Sequence, residues 1–165
     1  MKNEELISIF MENAAKVGAN LIRVDGISQL NEVLVKFLAN ETAVYCPKTT
    51  ELEKTANIDA NREAKVLYDA TTTVEEVPAG IAETGSIVVT TANGRVVQTS
   101  LLPAHHIAIL AAENIFPTLD DFFESIGNNP PTNITLITGP SRTADIELSL
   151  TIGVHGPGKV SIILI

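Results

Sequence analysis

Two apolar runs constrain this chain more than any other feature: His106-Ile107-Ala108-Ile109-Leu110 and Val160-Ser161-Ile162-Ile163-Leu164. Each puts apolar side chains on both faces of an extended segment, the pattern of a strand buried on both sides of a parallel sheet. Such strands need helices to cross between them and cover the faces. Residues 4–17 supply one, with Leu6, Phe10, Ala14 and Val17 at helical spacing, Ile7 and Met11 widening the stripe, and Gly18 closing it. Ser28 offers a cap for a second, carrying Leu30, Val33, Leu34, Phe37 and Leu38.

Shorter signals fill in the rest. Residues 21–24, 43–46 (stopped by Pro47) and 66–68 read as short strands, and 48–64 as a polar loop with a helical turn. Residues 81–83 and 86–90 flank Thr84-Gly85 as a strand–turn–strand unit, and Asn93-Gly94 is a second tight turn. Thr118 and Asp121 have capping-box spacing ahead of Leu119, Phe122, Phe123 and Ile126, and Gly127 ends that helix. Residues 134–137 read as a buried strand that Gly139-Pro140 ends abruptly. No repeat, low-complexity tract or Pro/Gly/Ser-rich linker interrupts the series. The expectation is one α/β domain over residues 1–165, a three-layer, mainly parallel sheet with helices on both faces.

A length of 165 residues with 45% hydrophobic content is enough for one sizeable core. The formal charge of -9, with only 11 scattered Lys and Arg, argues against nucleic acid and anionic membrane surfaces as partners. Cys46 is the only cysteine, so no intrachain disulfide forms and no thiolate cage holds zinc or an iron–sulfur cluster. At the end of an apolar strand it reads as a packed thiol. No signal-peptide core follows Met1, and no apolar stretch approaches the ~18 residues of a membrane span. The expected location is the cytoplasm.

Chemistry concentrates late in the chain. After the strand at 134–137 comes Gly139-Pro140-Ser141-Arg142-Thr143-Ala144-Asp145-Ile146-Glu147, then Gly153-Val154-His155-Gly156-Pro157. Ligands collect where parallel strands end, and the Arg142 fork with the Ser141 and Thr143 hydroxyls suits a carboxylate or phosphate. Asp145 and Glu147 either orient Arg142, bracing the loop, or meet ligand hydroxyls. His155, set among glycines, is a proton-exchanging group or a hydrogen-bonded turn residue. Glu83, entering the Thr84-Gly85 turn, is a base, nucleophile or hydroxyl ligand, or a plain turn acid.

Other constellations are weak. His105 and His106 are adjacent and face opposite sides of a strand. With His155 they share no metal-ligand spacing, so no metal site is expected. Ser141, Asp145 and His155 suggest a triad, but the G-x-S-x-G elbow is missing. There is no P-loop and no G-x-G-x-x-G.

Together Gly80-Ile81-Ala82-Glu83-Thr84-Gly85-Ser86, Leu101-Leu102-Pro103-Ala104-His105-His106 and the two late segments resemble the LutC/YkgG family of lactate-utilisation (LUD) domain proteins, over residues 80–165. The resemblance implies a Rossmann-like fold similar to the NagB/RpiA/CoA-transferase group. It implies bacterial-type metabolism: a part in oxidising L-lactate to pyruvate beside partner subunits that carry the iron–sulfur clusters. No cofactor is expected in this chain itself. On this reading Glu83 and His155 are the reactive groups, and Thr84, Gly85, Gly139, Ser141, Arg142, Thr143, Asp145, Glu147 and Gly156 contact a small carboxylate ligand. Glycine-rich turns at both ends, with the fold of the family these segments resemble, predict that Glu83, Ser141, Arg142 and His155 line one cleft. The alternative is a free-standing enzyme on the same fold acting on a phosphosugar, an acyl thioester or a folate-like substrate, with Glu83 as the chemical residue.

Overall fold

The computed structural model describes residues 2–144, 150–152 and 155–165. In chain order the elements are α1 (Lys2–Lys16), β1 (Asn20–Arg23), α2 (Ile27–Phe37), β2 (Val44–Tyr45), α3 (Glu51–Thr55), β3 (Thr72–Val77), β4 (Ala79–Ile81) and β5 (Ser86–Thr90). Then come α4 (Gln98–Leu101), β6 (His105–Leu110), β7 (Ile115–Phe116), α5 (Leu119–Ile126), β8 (Ile134–Ile137), β9 (Arg142–Ala144), β10 (Leu150–Ile152) and β11 (Lys159–Leu164).

The two apolar runs pair with each other. They form β6 and β11, neighbours in a five-stranded sheet of order β1-β11-β6-β3-β2 whose pairings are all parallel. The α/β class and the mainly parallel sheet are as the sequence indicated. One face, with Val74, Ile107, Ile109 and Ile163, packs under Leu30, Val33 and Leu34 of α2. The other, with Ala108, Leu110, Ile162 and Leu164, meets Ile7, Phe10 and Ala14 of α1.

That second face also meets Ile87, Val89 and Ile137, which belong to a second sheet of order β7-β4-β5-β8. β4–β5 and β5–β8 are antiparallel and only β4–β7 is parallel. Phe122 of α5 packs on its outer side against Ala79, Ile81 and Val88. The strand at 134–137 is thus not part of the parallel sheet. It is β8, an antiparallel edge strand whose Leu136 is exposed. The rule that ligands gather at parallel strand ends does not apply to the turn that follows it.

Three local readings need correction, and one strand went unread. The N-cap of α2 is Gly26 rather than Ser28. Residues 66–68 form no strand; a single 3₁₀ turn spans Leu67–Asp69, with Tyr68 exposed and no neighbour to pair with. β3, which lies beside β6 in the parallel sheet, gave no sequence signal because Glu75 and Glu76 interrupt its apolar pattern. Finally, Arg142–Ala144 of the polar segment after Gly139 are not loop but β9, which pairs antiparallel with β10.

Candidate functional site

The C-terminal half of α1 is the surface on which the late segments converge. Asn13 Nδ2 donates to the carbonyls of Ala82 (2.8 Å) and Glu83 (3.3 Å), tying down the turn between β4 and β5. Gly85 (φ +67°) presses so closely on α1 that a Cβ there would stand 2.1 Å from the Ala14 nitrogen. Gly139 (φ +76°) does the same one turn later, 2.3 Å from the Val17 carbonyl oxygen. Only glycine meets both the left-handed dihedral and the close approach. Arg142 follows: a Cβ on Gly18 would lie 2.8 Å from one of its guanidinium nitrogens, so the side chain lies over the end of α1.

The turn after β8 is then fastened to the segment before β11. Ser141 N–H donates to the Pro157 carbonyl at 2.8 Å. The result is a shallow depression of about 210 Å³ lined by Thr138, Gly139, Ser141, His155 and Gly156, with Leu101 and Leu136 as an apolar wall. A Cβ on Gly156 would touch the Ser141 Cβ at 3.4 Å, so a side chain there would crowd the serine. Behind the depression run three hydroxyls: Thr84 Oγ1 and Ser86 Oγ are 2.7 Å apart, as are Ser86 Oγ and Thr138 Oγ1.

The expected common cleft is therefore present in part. Ser141 and His155 share the depression with Gly139 and Gly156, and Thr84 reaches it through Ser86. Glu83 and Arg142 are not among the residues lining it. The Glu83 carboxylate instead accepts the Leu119 N–H at 2.7 Å, satisfying a free amide at the start of α5. There it supplements the expected Thr118–Asp121 capping box, which is fully formed. Thr143 lies in β9 opposite Thr151. Asp145 and Glu147 lie outside the described residues. Chemically, the depression offers hydroxyls, an imidazole and close backbone to a small polar ligand. Among the described residues, no group of three or more His, Cys, Asp or Glu is placed to hold a metal ion.

Two buried polar networks escaped the sequence reading. Glu53, fully buried, accepts from Thr49 N and Oγ1, Thr50 N, Glu76 N and Arg95, the last at 2.7 Å. Arg95 also lies 3.7 Å from Glu75, which accepts from Ser100 Oγ. His106 Nε2 stands 2.9 Å from Glu75 Oε1, out of line for a hydrogen bond. Burial raises the Glu75 pKa, but His106, Ser100 and Arg95 together bring it below the ordinary carboxylate value. The available signal was Thr50-x-x-Glu53, a capping box that α3 does form.

On the other side of the sheet, His105 Nε2 meets Ser161 Oγ and its Nδ1 meets Glu41 Oε1, both at 2.9 Å. Serine, histidine and acid in that order have the connectivity of a nucleophilic triad. Ser161 is completely buried, so no substrate reaches it and the group is a structural brace. Cys46 is buried too, and burial pushes its thiol up to about 11, which suits a packed thiol rather than a nucleophile.

The LUD domain family model matches residues 65–165, and the chain belongs to that family. It is 29% identical over 183 residues to a lactate utilization protein C of Exiguobacterium sp., covering 98% of this chain and 78% of that protein. It is 41% identical over 91 residues to another of that name from Macrococcus caseolyticus, covering 52% and 39%. To the uncharacterized protein YkgG of Escherichia coli it is 38% identical over 92 residues, covering 52% and 40%. The crystal structure of a DUF162 family protein from Deinococcus radiodurans shares the fold, with TM-score 0.78, 18% identity, and coverage of 99% and 98% of the two chains. No helix among the described residues is long and apolar enough to cross a membrane.

Proposed function

We propose that this chain is a non-redox component of an L-lactate utilisation system, holding a small carboxylate in the depression between residues 138–141 and 155–157. The observation that carries this reading is the Ser141–Pro157 hydrogen bond, which draws two separate polar segments around one concavity. About 210 Å³ suits a three-carbon acid better than a drug-sized ligand or cofactor. Thr138 and Ser141 hydroxyls serve the carboxylate, His155 the hydroxyl, and the Leu101–Leu136 wall the methyl group. Arg142, adjacent to Ser141 and exposed, supplies positive charge at the rim of an otherwise acidic protein. The names of its relatives support the metabolic setting.

Oxidation of L-lactate to pyruvate releases two electrons and two protons. With one cysteine this chain has too few thiolates for an iron–sulfur cluster of its own, and on this reading the electrons pass to the cluster-bearing partner subunits that the family resemblance implies. A free-standing enzyme with Glu83 as base has less support, because that carboxylate is engaged by the Leu119 amide.

The test is growth on L-lactate of a strain lacking this protein, complemented by variants. Wild type restores growth. Gly156→Val, which fills the space beside Ser141, fails to restore it at normal protein level. Arg142→Ala, losing the positive charge beside the depression, restores it poorly, and lysine, which keeps that charge, restores most of it. Growth of the deletion strain on L-lactate, or full complementation by Gly156→Val, would overturn the reading.

A further inference from the structure

The geometry points to Ser86 as a positioning residue that sets Thr138 as a hydrogen-bond donor toward an anion in the depression; this rests on the carboxylate-site reading above and deepens it. Ser86 begins β5, opposite Ile81 of β4, and is 2% exposed. Its hydroxyl lies 2.7 Å from Thr84 Oγ1 on one side and 2.7 Å from Thr138 Oγ1 on the other. Thr138 alone of the three lines the depression. The turn that carries Thr84 and Ser86 is held rigidly by Gly85 against Ala14 and by Asn13 on the Ala82 carbonyl.

A hydroxyl carries one proton and two acceptor lone pairs. The buried Ser86 hydroxyl meets only Thr84 and Thr138 among the described residues, so its proton goes to one of them and the row runs in one of two directions. If Thr84 donates to Ser86 and Ser86 to Thr138, the Thr138 proton is left to point into the depression. In the opposite direction Thr138 spends its proton on Ser86 and offers a ligand only lone pairs. A carboxylate has only acceptors, so it selects the first direction, and bonds in a polarised row strengthen one another. A neutral amide of the same shape presents both donors and acceptors and fits either direction. Ser86 therefore contributes to preference for the anion without touching it. Hydroxyls that merely satisfy one another would give stability and no such preference.

The experiment titrates L-lactate and L-lactamide into the purified full chain by calorimetry or NMR, with the melting temperature measured for every variant. Wild type is expected to favour lactate. Ser86→Ala is expected to lose about three- to tenfold in lactate affinity, the range for one hydrogen bond, with lactamide binding unchanged. Thr138→Val, which removes the ligand-facing hydroxyl itself, should weaken both probes, and Ser86→Thr, which keeps the hydroxyl, should retain the preference. If Ser86→Ala does not fold, Thr84→Val cuts the far link instead and should show a smaller loss of the same kind. Equal weakening of both probes by Ser86→Ala, or an unchanged preference in that variant when folded, overturns the role of Ser86 and leaves the carboxylate site standing. Failure of wild type to bind either probe removes the site and the positioning role together.

Discussion

Gly139 and Val17 touch backbone to backbone: a Cβ on the glycine would stand 2.3 Å from the Val17 carbonyl oxygen. The contact joins the turn after β8 to the end of α1, so the N-terminal helix, which precedes the residues matched by the family model, shapes the depression. Gly139→Ala should therefore be costly twice over. The left-handed dihedral costs an L-residue about 1–2 kcal/mol, and relieving the clash must also move the turn. Thermal unfolding should register at least that loss, and amide resonances of Ser141 and Gly156 should shift with those of Val17. A stable variant with undisturbed Ser141 would show that the turn is not held by α1.

Glu53 and Arg95 form an ion pair in which neither side chain is more than 10% exposed. Removing one partner leaves the other charged and buried, which costs about 3–5 kcal/mol. Arg95→Met should cost more than most surface changes, since it strips a partner from both Glu53 and Glu75. Glu53→Gln keeps some of the hydrogen bonds from Thr49, Thr50 and Glu76 and should cost less. Unfolding in denaturant checks this, and the double variant should be destabilised by less than the sum of the singles. Strict additivity would mean the two side chains are not coupled.

Stability should fall with acid in two stages. Burial holds the His105 imidazole below its ordinary value of 6.5, with Lys159 and His106 adding to this and Glu41 opposing it. Burial raises the Glu41 carboxyl, but Thr72, His105 and Lys159 outweigh it; Glu41, like Glu75, ends below the ordinary 4.5. A depressed pKa means the folded state binds fewer protons than the unfolded one, so the contribution is complete above the ordinary value and lost below it. The melting temperature should be flat above about pH 7, decline below 6.5 as His105 is affected, and drop further below 4.5. His105→Gln should abolish the upper stage. Persistence of that stage in His105→Gln would assign it to other groups.

The sequence made legible whatever depends on local pattern. The apolar runs of β6 and β11, the stripe of α1, the strand–turn–strand around Thr84-Gly85 and the Thr118 cap all follow from periodicity and turn chemistry. The two segments that line the candidate depression were legible, because glycine-rich polar turns stand out between strands. What was hidden required a third dimension. Glu75 is hydrophilic by itself and belongs in the core only because Arg95, His106 and Ser100 meet it there. The strand at 134–137 reads alike in either sheet, and only its pairing with β5 places it. Glu83 pointed toward chemistry because nothing in its own segment reveals that the first amide of α5, 36 residues later, lies against it.

That last contact separates a cap from a base. As an acceptor at the start of α5, Glu83 contributes what a capping side chain typically does, about 0.5–2 kcal/mol, aided by its charge near the helix N-terminus. Glu83→Ala should lower the melting temperature by that amount, roughly 2–4 °C per kcal/mol for a chain of this size. Glu83→Gln retains an amide oxygen for the Leu119 N–H and should recover most of the loss, missing only the charge. Both variants should support growth on L-lactate once protein levels are matched. A general base would behave in the opposite way: glutamine would leave stability near wild type yet abolish function, because it cannot take a proton. Loss of growth in a fully stable Glu83→Gln would return Glu83 to the chemistry and favour the free-standing enzyme.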